Sequence, residues 1–500
     1  MVDVGIVAAF IGYFVFVLLI GLYFYKKTSN ISDYMLGGRG LNPGVAALSA
    51  QASDMSSWLL MGLPGALYLS GMSEMWIGVG LAIGSYCSWL VVAKRLRVYS
   101  YRVKDAITLP EFFENRFHDQ KGVLRFVSSI VILVFFTFYV ASGFVGGGKV
   151  FTTIFPQMPY IWAMVICAIV VIVYTFMGGF KAVSWTDFFQ GMLMLVAILI
   201  VPMAAMGKLG GAEQAFATAG EISEGFLNPF TDADGAPLSI ISVVSLLAWG
   251  LGYFGMPHII IRYMAVKNPR TIKTSRRIAA AWIVVALIGA ILVGIVGRAY
   301  TMNQGYVFED KAAAETIFLV MSTDLFVPVI AGILLSAILA AVMSTADSQL
   351  LVASSAITND LYIRLAKKKP SDKKAMWMGR IGVIIIAVIG ALVASNPEAS
   401  IMDIVSFAWA GFGASFGPII LLALFWKRTT KMGALAGMAT GFVLSIVWNQ
   451  LLAGPTGLYE IVPGFAAGLI VGIVVSLLGK QPDKEVEEEF EEVRKECKEC

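Results

Sequence analysis

The chain alternates between long apolar runs and short polar joints. Thirteen runs are of spanning length, near residues 4–25, 43–70, 74–93, 123–148, 159–178, 184–206, 238–264, 278–302, 325–357, 378–395, 401–426, 432–452 and 459–479. An apolar stretch of about 18 residues or more can cross a bilayer as a helix. The pattern predicts an all-α polytopic membrane protein with about 13 transmembrane helices. Two runs are interrupted. ALSAQASDMSSWLLMG, residues 46–61, places Asp54 among Ser49, Gln51, Ser53, Ser56 and Ser57. LLAWGLGYFGMPHIII, residues 246–261, contains Gly250, Gly252, Gly255 and Pro257. Gly and Pro weaken a helix, and unwound backbone at membrane depth is tolerated only where it lines a cavity or is buried in protein. The interruption returns after five runs, an odd number, so the second unit starts on the opposite side from the first. Two five-helix units, 43–206 and 238–426, each opening on a broken helix, form the inverted-repeat pattern of a secondary transporter. The remaining parts are an extra first run and loop (1–42), a connecting loop (207–237), two extra runs (427–480) and a charged tail (481–500).

Composition supports this division. Hydrophobic residues make up 58% of the chain and charged residues 14%, against about 25% charged in an average soluble protein. The formal net charge is +4, yet the last twenty residues hold nine acids and four bases. The basic excess of the body reads as topology and not as nucleic-acid binding. With the N-terminus outside, 33 of the 37 Lys and Arg fall inside, among them Lys26, Lys27, Arg39, residues 94–97, Arg262 to Arg277, residues 367–369, Lys427 and Arg428. Only Lys149, Lys208, Arg298 and Lys311 fall outside. This predicts an N-outside, C-inside protein of the cell membrane. The first run is too long, and lacks the basic start, for a cleaved signal peptide. Cys87 and Cys167 read as packing residues, and the terminal CKEC, with Cys497 and Cys500, is a weak metal or redox signal. The tail EVEEEFEEVRKECKEC reads as a solvated helix or a disordered segment.

A carboxylate at the bilayer centre costs roughly 2.5–3.5 kcal/mol on insertion scales, so Asp54 calls for a cation, a partner or a proton. The hydroxyls and exposed carbonyls around it are hard donors suited to a small cation. The plainer alternative is that Asp54 caps the half-helix after the break. A third polar cluster, LLSAILAAVMSTADSQLL at 334–351, aligns Ser336, Ala340, Ser344 and Ser348 on one helix face, flanked by Thr345 and Asp347. The small Ala340 and Ala341 fit close helix packing, the plainer reading of this cluster, but that leaves Asp347 unexplained. The two histidines, His118 and His258, cannot form a bis-histidine haem site within one helix. Neither a phosphate loop nor a nucleophile elbow is present. The expectation is a transporter, not an enzyme, with an electron-transfer subunit, a membrane sensor or a channel as other classes.

These residues resemble the sodium/solute symporter family along nearly the whole chain, from DYMLGGR at 33–39 to LYEIVPGF at 458–465. The shared motifs include ASDMS, LLMGLPGA, SGMSEMWIG, GGFKAVSWTD, WGLGYFGMPHI, AGILLSAILAAVMST and VSFAWAGFGASFGP. The resemblance implies a leucine-transporter-type five-plus-five inverted repeat. It also implies sodium-coupled symport of L-proline, or a similar small zwitterion, into the cell by alternating access. A different small organic solute is the alternative. Sodium, the co-transported ion, is implied to bind backbone oxygens of Ala52, Met55 and Ala341 and the hydroxyls of Ser344 and Thr345. Asp54 corresponds to the acid needed for coupling, placed beside the ion. Substrate is implied near Ser56, Ser57, Trp58, Tyr139, Trp249, Tyr253 and Pro257. There, half-helix N-termini favour a carboxylate and aromatic faces suit a ring and an ammonium. Ser57 and Gln51 stand where proline-transporting members have glycine, and Asp347 where they have a small neutral residue. A second cation, sodium or a proton, is implied at Asp187, Ser344, Asp347 and Ser348. The expected partners are the solute, sodium and the lipid bilayer, with no nucleic acid and no obligate protein partner.

Overall fold

The computed structural model describes residues 3–25, 30–366 and 370–499. Lys26, Lys27, residues 367–369 and Cys500, which entered the charge and cysteine readings, lie outside the described residues. The long helices are α1 (Val4–Tyr25), α2 (Pro43–Asp54), α3 (Leu63–Ser70), α4 (Met75–Arg102), α5 (Val123–Ile154), α6 (Tyr160–Lys208), α7 (Ile240–Leu247), α8 (Pro257–Ala265), α9 (Ile272–Asn303), α10 (Pro328–Ser355), α11 (Asp372–Val393), α12 (Ile401–Phe425), α13 (Lys431–Leu451), α14 (Ile461–Leu478) and α15 (Lys484–Glu499). Among the described residues, ten stretches are long and apolar enough to span, or eleven if Ile240–Phe254 and Pro257–Ala265, bent by 43°, count as one. The difference from thirteen arises at two glycines. Residues 58–102 run through two expected spans, with a turn at Gly71, φ +74°. Tyr160–Phe176 is short of span length, and Gly179, φ +61°, kinks α6 just after it. Both backbones are left-handed, which glycine adopts without a Cβ penalty.

Both interruptions read from the sequence are breaks. Asn42 caps α2 by accepting the Val45 N–H at 2.9 Å, with Pro43 in the first turn. The helix ends where Met55 turns to φ −79°, ψ 76°. It resumes as a wide turn over Trp58–Gly62 and then α3. The second break is a tight 3₁₀ stretch, Ala248–Phe254, after which Pro257 opens α8. This 3₁₀ stretch lies bare-backbone against α4. A Cβ at Gly84 would stand 2.2 Å from the Gly250 carbonyl oxygen, and one at Gly80 2.3 Å from that of Leu247. Helix α10 crosses the middle of the bundle against α1, α2, α5 and α6, and every residue from Leu334 to Ser355 is buried.

The two ends of the bundle differ. At the end rich in Lys and Arg, Leu41 pairs with the chain after α8: its N–H donates to Ala265 O at 3.1 Å, and its carbonyl accepts the Lys267 N–H at 2.9 Å. Arg39 clamps this junction, donating to Asp105, Ser100 and the carbonyls of Met264 and Ala106 at 2.7–3.1 Å. Burial pushes the Arg39 guanidinium below its usual basicity, and Asp105 beside it pushes back. Arg97 adds a bond to Val266 O at 2.6 Å. The tail departs from expectation: α15 is not simply solvated. Val486, Phe490 and Val493, spaced four and three apart, are buried against this basic end. Its acids meet Arg102 and His118. At the other end a cavity of about 290 Å³ is lined by Trp249, Tyr459, Glu74, Glu315, Lys311 and Asp403, among others.

Candidate functional site

The two breaks face each other and are joined through Asp54. The hydroxyl of Tyr253, from the second break, donates to Asp54 Oδ2. The Asp54 carbonyl accepts from the Trp58 indole N–H at 3.0 Å and the Tyr139 hydroxyl at 3.5 Å. All four side chains are buried, and Asp54 Oδ1 has no hydrogen-bond partner. Asp54 therefore does not cap the following half-helix with its side chain; it ties one broken helix to the other. The N–H of Ser56 is already taken by Asp54 O at 2.9 Å, and that of Leu59 by Ser56 O at 3.1 Å. Ser57 faces α5, where its hydroxyl reaches Ser142 O at 3.5 Å and its Cβ fills the space left by Gly146. Pro257 is buried at the start of α8, beside His258, whose ring packs on Phe136 and Tyr139.

Of the residues the sequence placed near substrate, only Trp249 lines the cavity. Its ring stacks on Tyr459 at 5.4 Å, and its carbonyl accepts the Trp409 indole N–H at 2.7 Å. Trp409 in turn packs edge-on against Tyr253 at 5.2 Å. Trp249, Trp409 and Tyr459 form an aromatic floor between the cavity and the Asp54 junction. Sequence reasoning missed Trp409 and Tyr459. The small Gly252 against the Trp409 indole was the only local sign of a large ring nearby.

Four of the five oxygens assigned to sodium, those of Ala52, Ala341, Ser344 and Thr345, come together between α2 and α10. Ser344 Oγ lies 2.7 Å and Thr345 Oγ1 3.4 Å from the Ala52 carbonyl, and Ser344 Oγ is 3.2 Å from Ala341 O. Met55, just past the end of α2, is buried next to them in sequence. One helical turn further along, Ser49 and Ser53 both donate to Asp187 Oδ2, at 2.7 and 3.1 Å. Ser348 lies 2.9 Å from Ser53 and donates to Asp347 Oδ1 at 3.2 Å. Asp187, Asp347 and Ser348 thus share one buried cluster, whereas the hydroxyl of Ser344 belongs to the neighbouring oxygen set. The cluster also contains Arg262, which the sequence reading had counted only as a loop-side basic residue. It is fully buried, 3.2 Å from Asp187 Oδ2 and 2.5 Å from Ser348 Oγ. Asp347 is thus fully buried, and among the described residues it forms no ion pair with a loop Lys or Arg. Among the described residues, no group of three or more His, Cys, Asp and Glu is placed to hold a metal.

The profile of the sodium:solute symporter family matches residues 34–441. The chain belongs to that family. The symporter is 47% identical over 459 residues to an osmoregulated proline transporter of Bacillus subtilis, covering 92% of each chain. It is 49% identical over 454 residues to a high-affinity proline transporter of the same organism, covering 91% of this chain and 94% of the other. A sodium/proline symporter of Staphylococcus aureus matches at 46% over 501 residues, 97% and 95% of the two chains. Among solved structures, a sodium-coupled sialic acid symporter in a substrate-bound, outward-open state superposes with a TM-score of 0.80 at 21% identity, covering 97% of this chain and all of the other. A nucleobase-cation symporter in a closed conformation superposes at 0.59, with 14% identity, 93% of this chain and all of the other. These neighbours give the fold, which is of the leucine-transporter type. The symporter is a multi-pass membrane transporter and not an enzyme, and sodium is its co-transported ion.

Proposed function

We propose that the chain carries L-proline, or a closely similar small zwitterion, into the cell with sodium. Relatives that match over nine-tenths of their length at 46–49% identity are named proline transporters or sodium/proline symporters. The single observation that carries the reading is the junction at Asp54. Both broken helices meet there, beside uncharged oxygens from Ala52, Ala341, Ser344 and Thr345; the Met55 carbonyl is the fifth donor in this reading. Uncharged donors suit a monovalent ion that must also leave. Tyr139, Trp58 and Tyr253 surround the junction, and Ser56, Ser57 and Pro257 sit at the half-helix starts, in keeping with a pocket for a carboxylate, an ammonium and a flat ring. Asp54 holds the two breaks in register next to the ion and is not itself a ligand. In this reading thirteen crossings place the N-terminus outside, and the clamped basic end faces the cytoplasm. The cavity at Trp249 is then the outer approach, separated from the site by the aromatic floor.

A second cation position, for sodium or a proton, at Asp187, Asp347 and Ser348, adjoining Ser344, belongs to the same reading. Two buried carboxylates in one cluster favour bound cations. One charge moving through 100 mV yields about 2.3 kcal/mol and a tenfold gradient about 1.4, so a single ion sustains accumulation of roughly several hundred-fold. The test is radiolabelled proline uptake into proteoliposomes, comparing sodium with potassium and using other amino acids as competitors. Uptake that is saturable, sodium-dependent and proline-selective is expected. Uptake indifferent to sodium, or to proline, overturns the reading.

A further inference from the structure

Arg262 is the one charged group in the Asp187 cluster that the function above leaves without a role. Its surroundings come from four helices. Nη2 donates to Asp187 Oδ2 on α6 at 3.2 Å and to Ser348 Oγ on α10 at 2.5 Å. Nε donates to Ser49 Oγ on α2 at 3.1 Å, and Nη1 to His258 O on its own helix α8 at 2.7 Å. The guanidinium also lies over the Phe180 ring, 5.0 Å from its centroid. Two oxygens of the cluster, Asp187 Oδ1 and Asp347 Oδ2, are buried without a hydrogen-bond partner. The cluster therefore contains two carboxylates, three hydroxyls and a single resident positive charge. A buried ion pair is held by geometry, and removing its cation exposes the full cost of the buried anion. Meanwhile α8 is the element that follows the 43° bend, and three residues beyond Arg262 its end is fastened to Leu41. Any movement of α8 away from α2 carries the guanidinium out of the cluster.

We propose that Arg262 is a tethered cation that competes with sodium for the Asp187–Asp347–Ser348 position, so that an ion enters there only when α8 withdraws the guanidinium. The inference rests on the second-cation reading above, with sodium as the ion, and gives that site its regulation. With the basic end clamped, Arg262 fills the position and ties α8 to α2, α6 and α10. Sodium in the position disfavours the return of Arg262 and hence reclosure of this end. By the same linkage, closure expels the ion.

The experiment compares sodium binding and sodium-driven proline uptake in wild type, Arg262→Gln and Arg262→Lys, all in proteoliposomes with membrane levels measured. Arg262→Gln keeps hydrogen-bonding groups but removes the charge. Its half-saturating sodium is expected to fall by about fivefold or more, the lower range of ordinary coupling between sites, with one additional ²²Na bound per protein. Arg262→Lys is expected to restore the wild-type sodium curve. If Arg262→Gln transports with the wild-type sodium curve and the wild-type count of bound ions, the competition is refuted. If Arg262→Gln does not fold, Asp347→Asn is compared with Arg262→Gln/Asp347→Asn, which retains one carboxylate. The double variant is expected to bind one more sodium than the single, and equal binding refutes the proposal. Failure of the underlying reading looks different: wild-type uptake would not depend on sodium at all.

Discussion

Two polar clusters sit one helical turn apart on the same pair of helices, α2 and α10, and they are built on opposite principles. The first, around Ala52, Ala341, Ser344 and Thr345, contains carbonyls and hydroxyls and no formal charge. The second, around Ser49, Ser53, Asp187, Asp347 and Ser348, contains two carboxylates and a guanidinium. Neutral oxygens can satisfy one another by hydrogen bonding, as Ser344 does with Ala52. Carboxylates in an apolar bundle have no comparable resting arrangement and require a counter-charge. The difference separates a site that can empty freely from one that must exchange one cation for another.

The largest expected effect follows from the charged cluster. Arg262→Met in sodium-free buffer should lose about 3–5 kcal/mol of stability, the usual result of stripping one partner from a buried ion pair. Asp187→Asn in the same background should recover part of it. Thermal unfolding in detergent measures both, and a loss under about 1 kcal/mol for Arg262→Met would mean the cluster is not held by charge. Next in size, Trp249→Ala and Tyr139→Ala should weaken proline binding by about 1–3 kcal/mol, through lost aromatic burial. Unchanged half-saturation for both would move the substrate away from the aromatic floor and the Asp54 junction. In the neutral cluster, Ser344→Ala and Thr345→Ala should each cost about 0.5–1.5 kcal/mol, the usual worth of one hydrogen-bonding group. That loss should appear as a raised sodium requirement with near-normal proline affinity at saturating sodium. Wild-type sodium dependence in both variants would remove these hydroxyls from the ion site. The smallest effect is expected of Ser57→Gly, which opens space beside Gly146 and should shift competitor rankings toward proline. An identical ranking would show that Ser57 does not read the substrate.

Much of this was legible in the chain because membrane-spanning segments write their constraints plainly. The breaks at 46–61 and 246–261 showed as polar or Gly/Pro-rich interruptions, and both are breaks in the structure. The meeting of Ala52 with Ser344 and Thr345 was implied by motif resemblance and not by spacing, since it joins residues some 290 apart in sequence. Arg262 was misread because it opens a basic stretch running to Arg277, and a charge count assigns the whole stretch to the loop. The structure buries it while its neighbours further along stay near the surface. Likewise the acidic composition of α15 masked Val486, Phe490 and Val493, whose spacing of four and three marks a docking stripe. Trp409 and Tyr459 lie on elements far from both breaks in sequence, and although both fall within shared motifs, VSFAWAGFGASFGP and LYEIVPGF, nothing there separates a site-facing ring from a packing one.

The bare seam between α4 and the 3₁₀ stretch has a mechanical consequence. Most helix contacts in the bundle mesh side chain into groove, so one helix cannot slide on another without lifting over its ridges. Along Gly80, Gly84 and Gly250 there are no such teeth, and backbone rides directly on backbone. A surface without teeth works as a plain bearing for the Leu247–Gly250 part of the stretch, while Ser88 of α4 pins its far end by donating to the Tyr253 carbonyl at 2.9 Å. A methyl group at Gly84, 2.2 Å from the Gly250 oxygen, would act as grit in that bearing.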